Sequence, residues 1–246
     1  MERPFLCRIR KRGSQGDEMR KIGDSLAGKR VLITESRQWI GPTLCSAFAD
    51  YAADVVADER DLSAPAAPEE AVRAAGSIDI LIVHLVAPAQ QTAAQEVTAE
   101  EWRSVFAHLV DPIPRLLRAA LPRMIERRAG KIVVLGSASA LRGMRNTSSY
   151  SAARGAQVAH TRAVGIEVAR HNICVNLIAT NFVDSPAYFP PEVQKLESFK
   201  QRLKREVPIG RMVTAEEVAA FTIFLASEES NGFAGQVFPL AGGWQT

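Results

Sequence analysis

Residues 29–41 read Lys29-Arg30-Val31-Leu32-Ile33-Thr34-Glu35-Ser36-Arg37-Gln38-Trp39-Ile40-Gly41, and the fold turns on how this stretch divides. Val31–Thr34 is short, apolar and rich in β-branched residues, which suits a buried strand better than a helix. A helix is expected from about Gly41 to Tyr51, so the residues between form a strand-to-helix loop. The same alternation continues outward in both directions. Strands are expected at Asp54–Asp58, Asp79–Val86, Lys131–Ser137 and Ile173–Ala179, with a last strand and turn in Gly235–Trp244. Helices are expected at Pro68–Ala75, from Thr98 toward Arg128 with a break at Pro112, at Ser149–Arg170, and from a Thr214 cap through Ala226. Thr98 with Glu101 has the spacing of a capping box.

Strands apolar on both faces and separated by helices imply an α/β, single-domain, doubly wound, Rossmann-like parallel sheet flanked by helices. In such a sheet the ligand sits beyond the carboxyl ends of the strands. Here those ends are the loops after Thr34, Val86, Leu135 and Ala179.

Composition narrows the class. The chain has 246 residues, 47% hydrophobic and 23% charged, which excludes disorder for most of it. No run reaches the roughly 18 apolar residues of a membrane span. Cys7, Cys45 and Cys174 are scattered, which suits a reducing cytoplasm rather than a disulfide framework. The net charge of +3 is unevenly spread: residues 1–30 hold nine basic and four acidic groups, and the remainder is slightly acidic. The globular part therefore gives no footprint for nucleic acid. Residues 1–26 are read as a basic tail, disordered or upstream of a true start at Met19, without the apolar core of a secretory signal. Residues 27–246 are read as the catalytic domain.

The loop after the first strand, with the motifs below, resembles that of the short-chain dehydrogenase/reductase superfamily, where it usually reads T-G-x-x-x-G-x-G. Thr34 and Gly41 match, and Glu35 and Trp39 replace the first two glycines. In that motif the first glycine permits the tight turn and the second lets backbone approach a pyrophosphate. A carboxylate and an indole at these places oppose a bound dinucleotide. Asp58, where a dehydrogenase would hold a ribose, is then a solvated or capping acid.

Ser137 falls just past a strand end, Tyr150 near the start of a long helix, and Arg154 four residues on, on the same helix face. A tyrosine is a poor base at its reference pKa of roughly 10, and a fixed guanidinium favours its phenolate. A serine in the same cleft can hydrogen-bond a substrate oxygen. The superfamily's triad has lysine at the third position, where it also holds a nicotinamide ribose. Arginine keeps the charge without that second task.

Ser137, Tyr150 and Arg154, with Thr34, Trp39 and Gly41 in the modified loop, resemble the halohydrin dehalogenases, a cofactor-free branch of the superfamily. The resemblance runs from about Ala27 to the C-terminus. It implies dehalogenation of vicinal haloalcohols to epoxides with halide release, and epoxide opening by azide, cyanide or nitrite. It further implies catalytic Ser137, Tyr150 and Arg154, and a halide pocket of Trp39, Thr180, Asn181, Phe182, Val183 and Phe189, including backbone donors around residues 181–183. Pro88 and Met144 would line the substrate pocket. No cofactor, metal, nucleic-acid or membrane partner is implied. The assembly would be a homotetramer packed through the long helices beginning near Thr98 and Ser149. His84, His108, His160 and His171 form no metal-spaced cluster and are read as structural. The competing readings are an NAD(P)-dependent oxidoreductase with an eroded glycine motif and a non-catalytic scaffold of the same fold.

Overall fold

The computed structural model describes residues 22–87, 90–186 and 188–244. The tail expected over residues 1–26 lies outside the described residues as far as residue 21, with Met19 and Cys7 in it, and so do Pro88 and Ala187. The expected boundary at residue 27 falls inside ordered structure. Asp24–Leu26 form a 3-10 turn, and Leu26 is buried among the side chains of α1 (Gly41–Asp50) and α9 (Ala215–Ala226).

Six parallel strands form one sheet: β1 (Arg30–Ile33), β2 (Asp54–Ala57), β3 (Ile80–His84), β4 (Gly130–Ser137), β5 (Ile173–Thr180) and β6 (Val237–Leu240), in the order β2-β1-β3-β4-β5-β6. Side chains alternate along each strand and so feed two cores. Leu32, Leu81, Val83, Ile132, Val134, Val175 and Leu177 pack on the face of α2 (Ala67–Ala75), α3 (Ala99–Leu109), α4 (Pro112–Arg127) and α6 (Ser148–Ala169). Val31, Ile33, Ile80, Ile82, Val133, Leu135 and Ile178 pack on the face of α1 and α9. Burial on both faces is why the strands read as continuous apolar runs.

The break at Pro112 is present, with the proline in the first turn of α4, where its missing N–H costs no hydrogen bond. The capping box expected at Thr98 is only half formed. The Thr98 hydroxyl accepts from the Glu101 N–H, but the Glu101 carboxylate accepts from Ser149 Oγ instead of returning to the cap. The reciprocal box stands at Thr214 and Glu217. Three helices were not expected: the short α5 (Ser139–Arg142), and α7 (Pro191–Lys195) and α8 (Glu197–Glu206), which follow β5.

The sheet order reverses at β1, between β2 and β3, and the loops leaving β1 and β3 open the crevice. Gly41 is required there, because a Cβ on it would overlap the Ser36 carbonyl group. Glu35 and Trp39, the two residues standing where the motif has glycines, keep a left-handed backbone with φ of 45° and 44°.

Candidate active site

A cavity of about 200 Å³ lies at the carboxyl ends of the strands. Every expected site residue among the described ones borders it: Ser137, Tyr150 and Arg154; Trp39, Thr180, Asn181, Phe182, Val183 and Phe189; and Met144. Pro88 lies outside the described residues.

β4 delivers Ser137 at its last residue. Its Oγ accepts from both the N–H (3.2 Å) and the hydroxyl (3.0 Å) of Ser139, the first residue of α5. Both lone pairs are thus engaged, and the Ser137 proton is left to donate elsewhere.

Tyr150 and Arg154 lie one turn apart on α6, and the Arg154 Cζ sits 5.0 Å from the centre of the Tyr150 ring, over its face. Arg154 is buried. Its Nη1 donates to the Leu135 carbonyl (3.1 Å) and to Gln157 Oε1 (3.0 Å), and its Nη2 donates to the Leu85 carbonyl (3.3 Å). Gln157 is fixed in turn by donating to the Leu109 carbonyl at 2.6 Å. All these acceptors are neutral. No carboxylate pairs with Arg154 among the described residues, and its Nε has no partner. A buried cation held this way is hydrogen-bonded but not neutralised.

The opposite wall is aromatic. The Trp39 indole stacks on His84 (5.6 Å between centroids, 11° between planes) and meets Tyr188 edge-on at 6.0 Å. Burial pushes the Tyr188 phenol up to about 12, with the neighbouring Tyr150 adding to the rise and Arg154 opposing it. Phe182 stacks on Phe189 at 5.7 Å. Besides the Arg154 Nε, two buried donors on this cavity have no partner among the described residues: the Trp39 indole N–H and the Asn181 amide N–H.

Of the expected backbone donors around residues 181–183, the Phe182 N–H is taken by the Asn181 carboxamide oxygen at 2.9 Å. The side-chain N–H groups of Asn181 and Trp39 add donors that were not expected. The Thr180 hydroxyl is committed too, donating to the Gly136 carbonyl at 3.1 Å. Thr180 therefore borders the cavity without a free hydroxyl proton.

Burial holds the His84 imidazole down to about 4, and its Nδ1 faces the Thr34 carbonyl at 3.1 Å. It is a neutral stacking partner for Trp39. Among the described residues no cluster of His, Cys, Asp and Glu has the makings of a metal site.

A second cavity, of about 380 Å³, is lined by Glu35, Gln38, Glu59, Arg60, Asp61, Val86, Ala87 and His108. The Glu35 carboxylate is buried and accepts from the Val86 N–H at 2.7 Å. Burial raises its pKa to about 7, against the opposing pull of that N–H. Asp58 is buried and ion-paired to Arg60 rather than solvated, and it caps the Arg60 N–H at 3.1 Å, the second of its two expected readings.

Arg202, Tyr188 and Gln157 were not singled out from the sequence. Tyr188 stands next to Phe189, one of the expected halide-pocket residues. Arg202 sits on α8, and its i,i+4 spacing to Glu206 was the available signal.

Residues 37–245 match the family model described as Enoyl-(Acyl carrier protein) reductase. The chain is 29% identical over 250 residues to 5-keto-D-gluconate 5-reductase of Escherichia coli strain K12, covering 89% of this chain and 96% of that protein. It is 33% identical over 172 residues to a 3-oxoacyl-(acyl-carrier-protein) reductase of Chlamydia muridarum, covering 68% and 66%. Among solved structures, a protein described as a dehalogenation enzyme superposes with a TM-score of 0.83 at 28% identity, covering 89% of this chain and 99% of that one. A gluconate 5-dehydrogenase from Burkholderia cenocepacia, solved with NADP and tartrate, superposes at 0.82 with 24% identity, covering 91% and 97%, and attests the fold alone.

Proposed function

The chain belongs to the short-chain dehydrogenase/reductase superfamily, and from that premise we propose that it works without a nicotinamide, releasing halide from vicinal haloalcohols as they close to epoxides. In reverse, small anions such as azide, cyanide or nitrite open epoxides. The observation that carries this reading is Arg154: a buried guanidinium held by neutral oxygens, lying over the ring of Tyr150.

Many members of this superfamily use a dinucleotide, and the residues present here do not fit one. The pyrophosphate would need backbone exposed at the turn. Trp39 instead spans from His84 to Tyr188, and Glu35 adds a carboxylate beside the loop. The site cavity, at about 200 Å³, is smaller than the roughly 300–1,000 Å³ of a pocket for drug-sized ligands. It suits a short-chain substrate.

The steps follow from the groups around the cavity. The Ser137 hydroxyl donates to the substrate hydroxyl oxygen, with its own lone pairs held by Ser139. Tyr150, as phenolate beside the Arg154 cation, takes the substrate proton. The resulting alkoxide oxygen attacks the neighbouring carbon from the back, forming the new C–O bond as the carbon–halogen bond breaks. The halide leaves with the bond's electron pair. It is received by the Trp39 and Asn181 N–H groups, whose missing partners leave them free for an anion. The same reading includes a homotetramer built on α3 and α6, whose outer faces expose Trp102 and Ile166.

Halide release from a simple vicinal bromo-alcohol, with no cofactor added, tests the reaction. Release by the native chain and its loss in Tyr150→Phe are the expected results. Release that persists in the variant would overturn the assignment. That its sequence relatives are reductases favours a second reading, a nicotinamide-dependent reductase. Binding of NADH at micromolar concentration in an absorbance titration would decide for it.

A further inference from the structure

We propose that Arg202 makes this site selective for substrates carrying a carboxylate at the end away from the reacting carbons. The inference deepens the haloalcohol reading above and rests on it for the reaction, though not for the binding preference.

Arg202 comes from α8, an element outside the Ser137, Tyr150 and Arg154 constellation, yet it borders the same cavity. Two contacts orient its guanidinium. The Cζ lies 5.1 Å from the centre of the Phe182 ring, over its face, and Nε donates to the Glu206 carboxylate at 3.2 Å. Both terminal nitrogens are without a hydrogen bond among the described residues. A planar fork fixed at Nε and over the ring, with its Nη groups unused, is matched to a group that accepts two parallel hydrogen bonds. A carboxylate does that, whereas a spherical halide does not.

The surroundings favour an anion at this end. Residues 191–206, which form α7 and α8, carry five basic and three acidic side chains, and Glu206 is already shared between Arg202 and Arg205. The polar Gln90 and Gln91 also border the cavity. The floor differs: both terminal nitrogens of Arg154 donate to carbonyl and amide oxygens, and its ring contact is with Tyr150. The cavity thus holds two cations with separate tasks, one beside the reacting oxygen and one at the rim. Its small volume limits the substrate to a short carbon chain between them.

The test compares γ-chloro-β-hydroxybutanoate with its methyl ester, which is closely similar in shape and lacks the charge. Chloride release without cofactor is measured for the native chain and for Arg202→Gln. The native chain is expected to prefer the acid in kcat/KM. In Arg202→Gln the acid-to-ester ratio of kcat/KM falls about tenfold, carried by KM, as for loss of a charge-assisted hydrogen bond at a half-exposed site. Added salt weakens the native preference in the same direction. An unchanged ratio in Arg202→Gln overturns the proposal.

Failure of the dehalogenase reading is distinguishable. If the native chain releases chloride from neither compound, that reading falls, and equilibrium binding of both compounds is measured by calorimetry in Tyr150→Phe. Preferential binding of the acid, lost on adding Arg202→Gln, supports the role of Arg202. Equal binding of acid and ester overturns it.

Discussion

At the level of single residues, the side chains that set this site apart are Trp39, Arg154 and Asn181. Arg154 donates three hydrogen bonds to three differently placed oxygens through two nitrogens of one plane. A lysine ammonium carries the same charge on a flexible stem but cannot reproduce that fork. Arg154→Lys is therefore expected to lower kcat for halide release by about 10²-fold or more, in the range set by losing a positioned acid–base group. Near-native turnover in the lysine variant would show that charge alone suffices. The arginine and tyrosine were legible in the sequence because i,i+4 spacing fixes a shared helix face. The free Asn181 and Trp39 donors were not legible. Whether an N–H lacks a partner depends on what the chain brings near it, and here the Asn181 oxygen captures the Phe182 N–H that spacing alone would have offered to an anion.

Among the elements, strands and long helices followed from period and punctuation, whereas α7 and α8 did not. α8 buries only Phe199 and Leu203 in ten residues, too thin an apolar stripe to stand out from a charged stretch that follows two prolines. It is held onto the domain by the aromatic contact of Phe199 with Phe189, a tertiary fact. α9 shows the opposite case. Its start was marked by Thr214, and the structure supplies the full reciprocal box, with Arg211 bound to the Glu217 carboxylate. That arginine, together with the Thr214 N–H, holds the Glu217 carboxyl down to about 2. Removing the cap in Thr214→Ala is expected to cost about 1 kcal/mol and to lower Tm by roughly 2–4 °C for a chain of this size. A thermal melt at neutral pH checks it, and an unchanged Tm would mean that the Arg211 pair alone closes this helix end.

For the molecule as a whole, two buried groups set opposing pH responses. Glu35 holds its proton more tightly folded than unfolded, with a pKa of about 7 against an ordinary 4.5. Its contribution to stability is full below pH 4.5 and is lost as pH rises toward 7. His84 resists its proton, at about 4 against 6.5, so its contribution is full above pH 6.5 and is lost as pH falls toward 4. Between pH 4.5 and 6.5 the two slopes oppose each other, each at most about 1.4 kcal/mol per pH unit. Glu35→Gln removes one of them and keeps the backbone carbonyl beside His84. The variant's stability relative to the native chain is therefore expected to rise with pH across this window, as read by denaturant melts at both ends. Parallel profiles for the two proteins would contradict this. The fold itself was legible from the sequence because each buried strand alternates between two cores. The pH balance was not, since both groups owe their shifts to burial that only assembly creates.

Glu35 and Trp39 run through the left-handed backbone region, which costs most side chains roughly 1–2 kcal/mol and costs glycine little. They do so at the two places where the superfamily's turn has glycine. Side chains thus fill the turn while its backbone keeps a conformation that glycine adopts freely. Chain-path comparison is blind to a change of this kind. Filling the turn therefore takes side chains alone, at two positions, with the left-handed backbone kept.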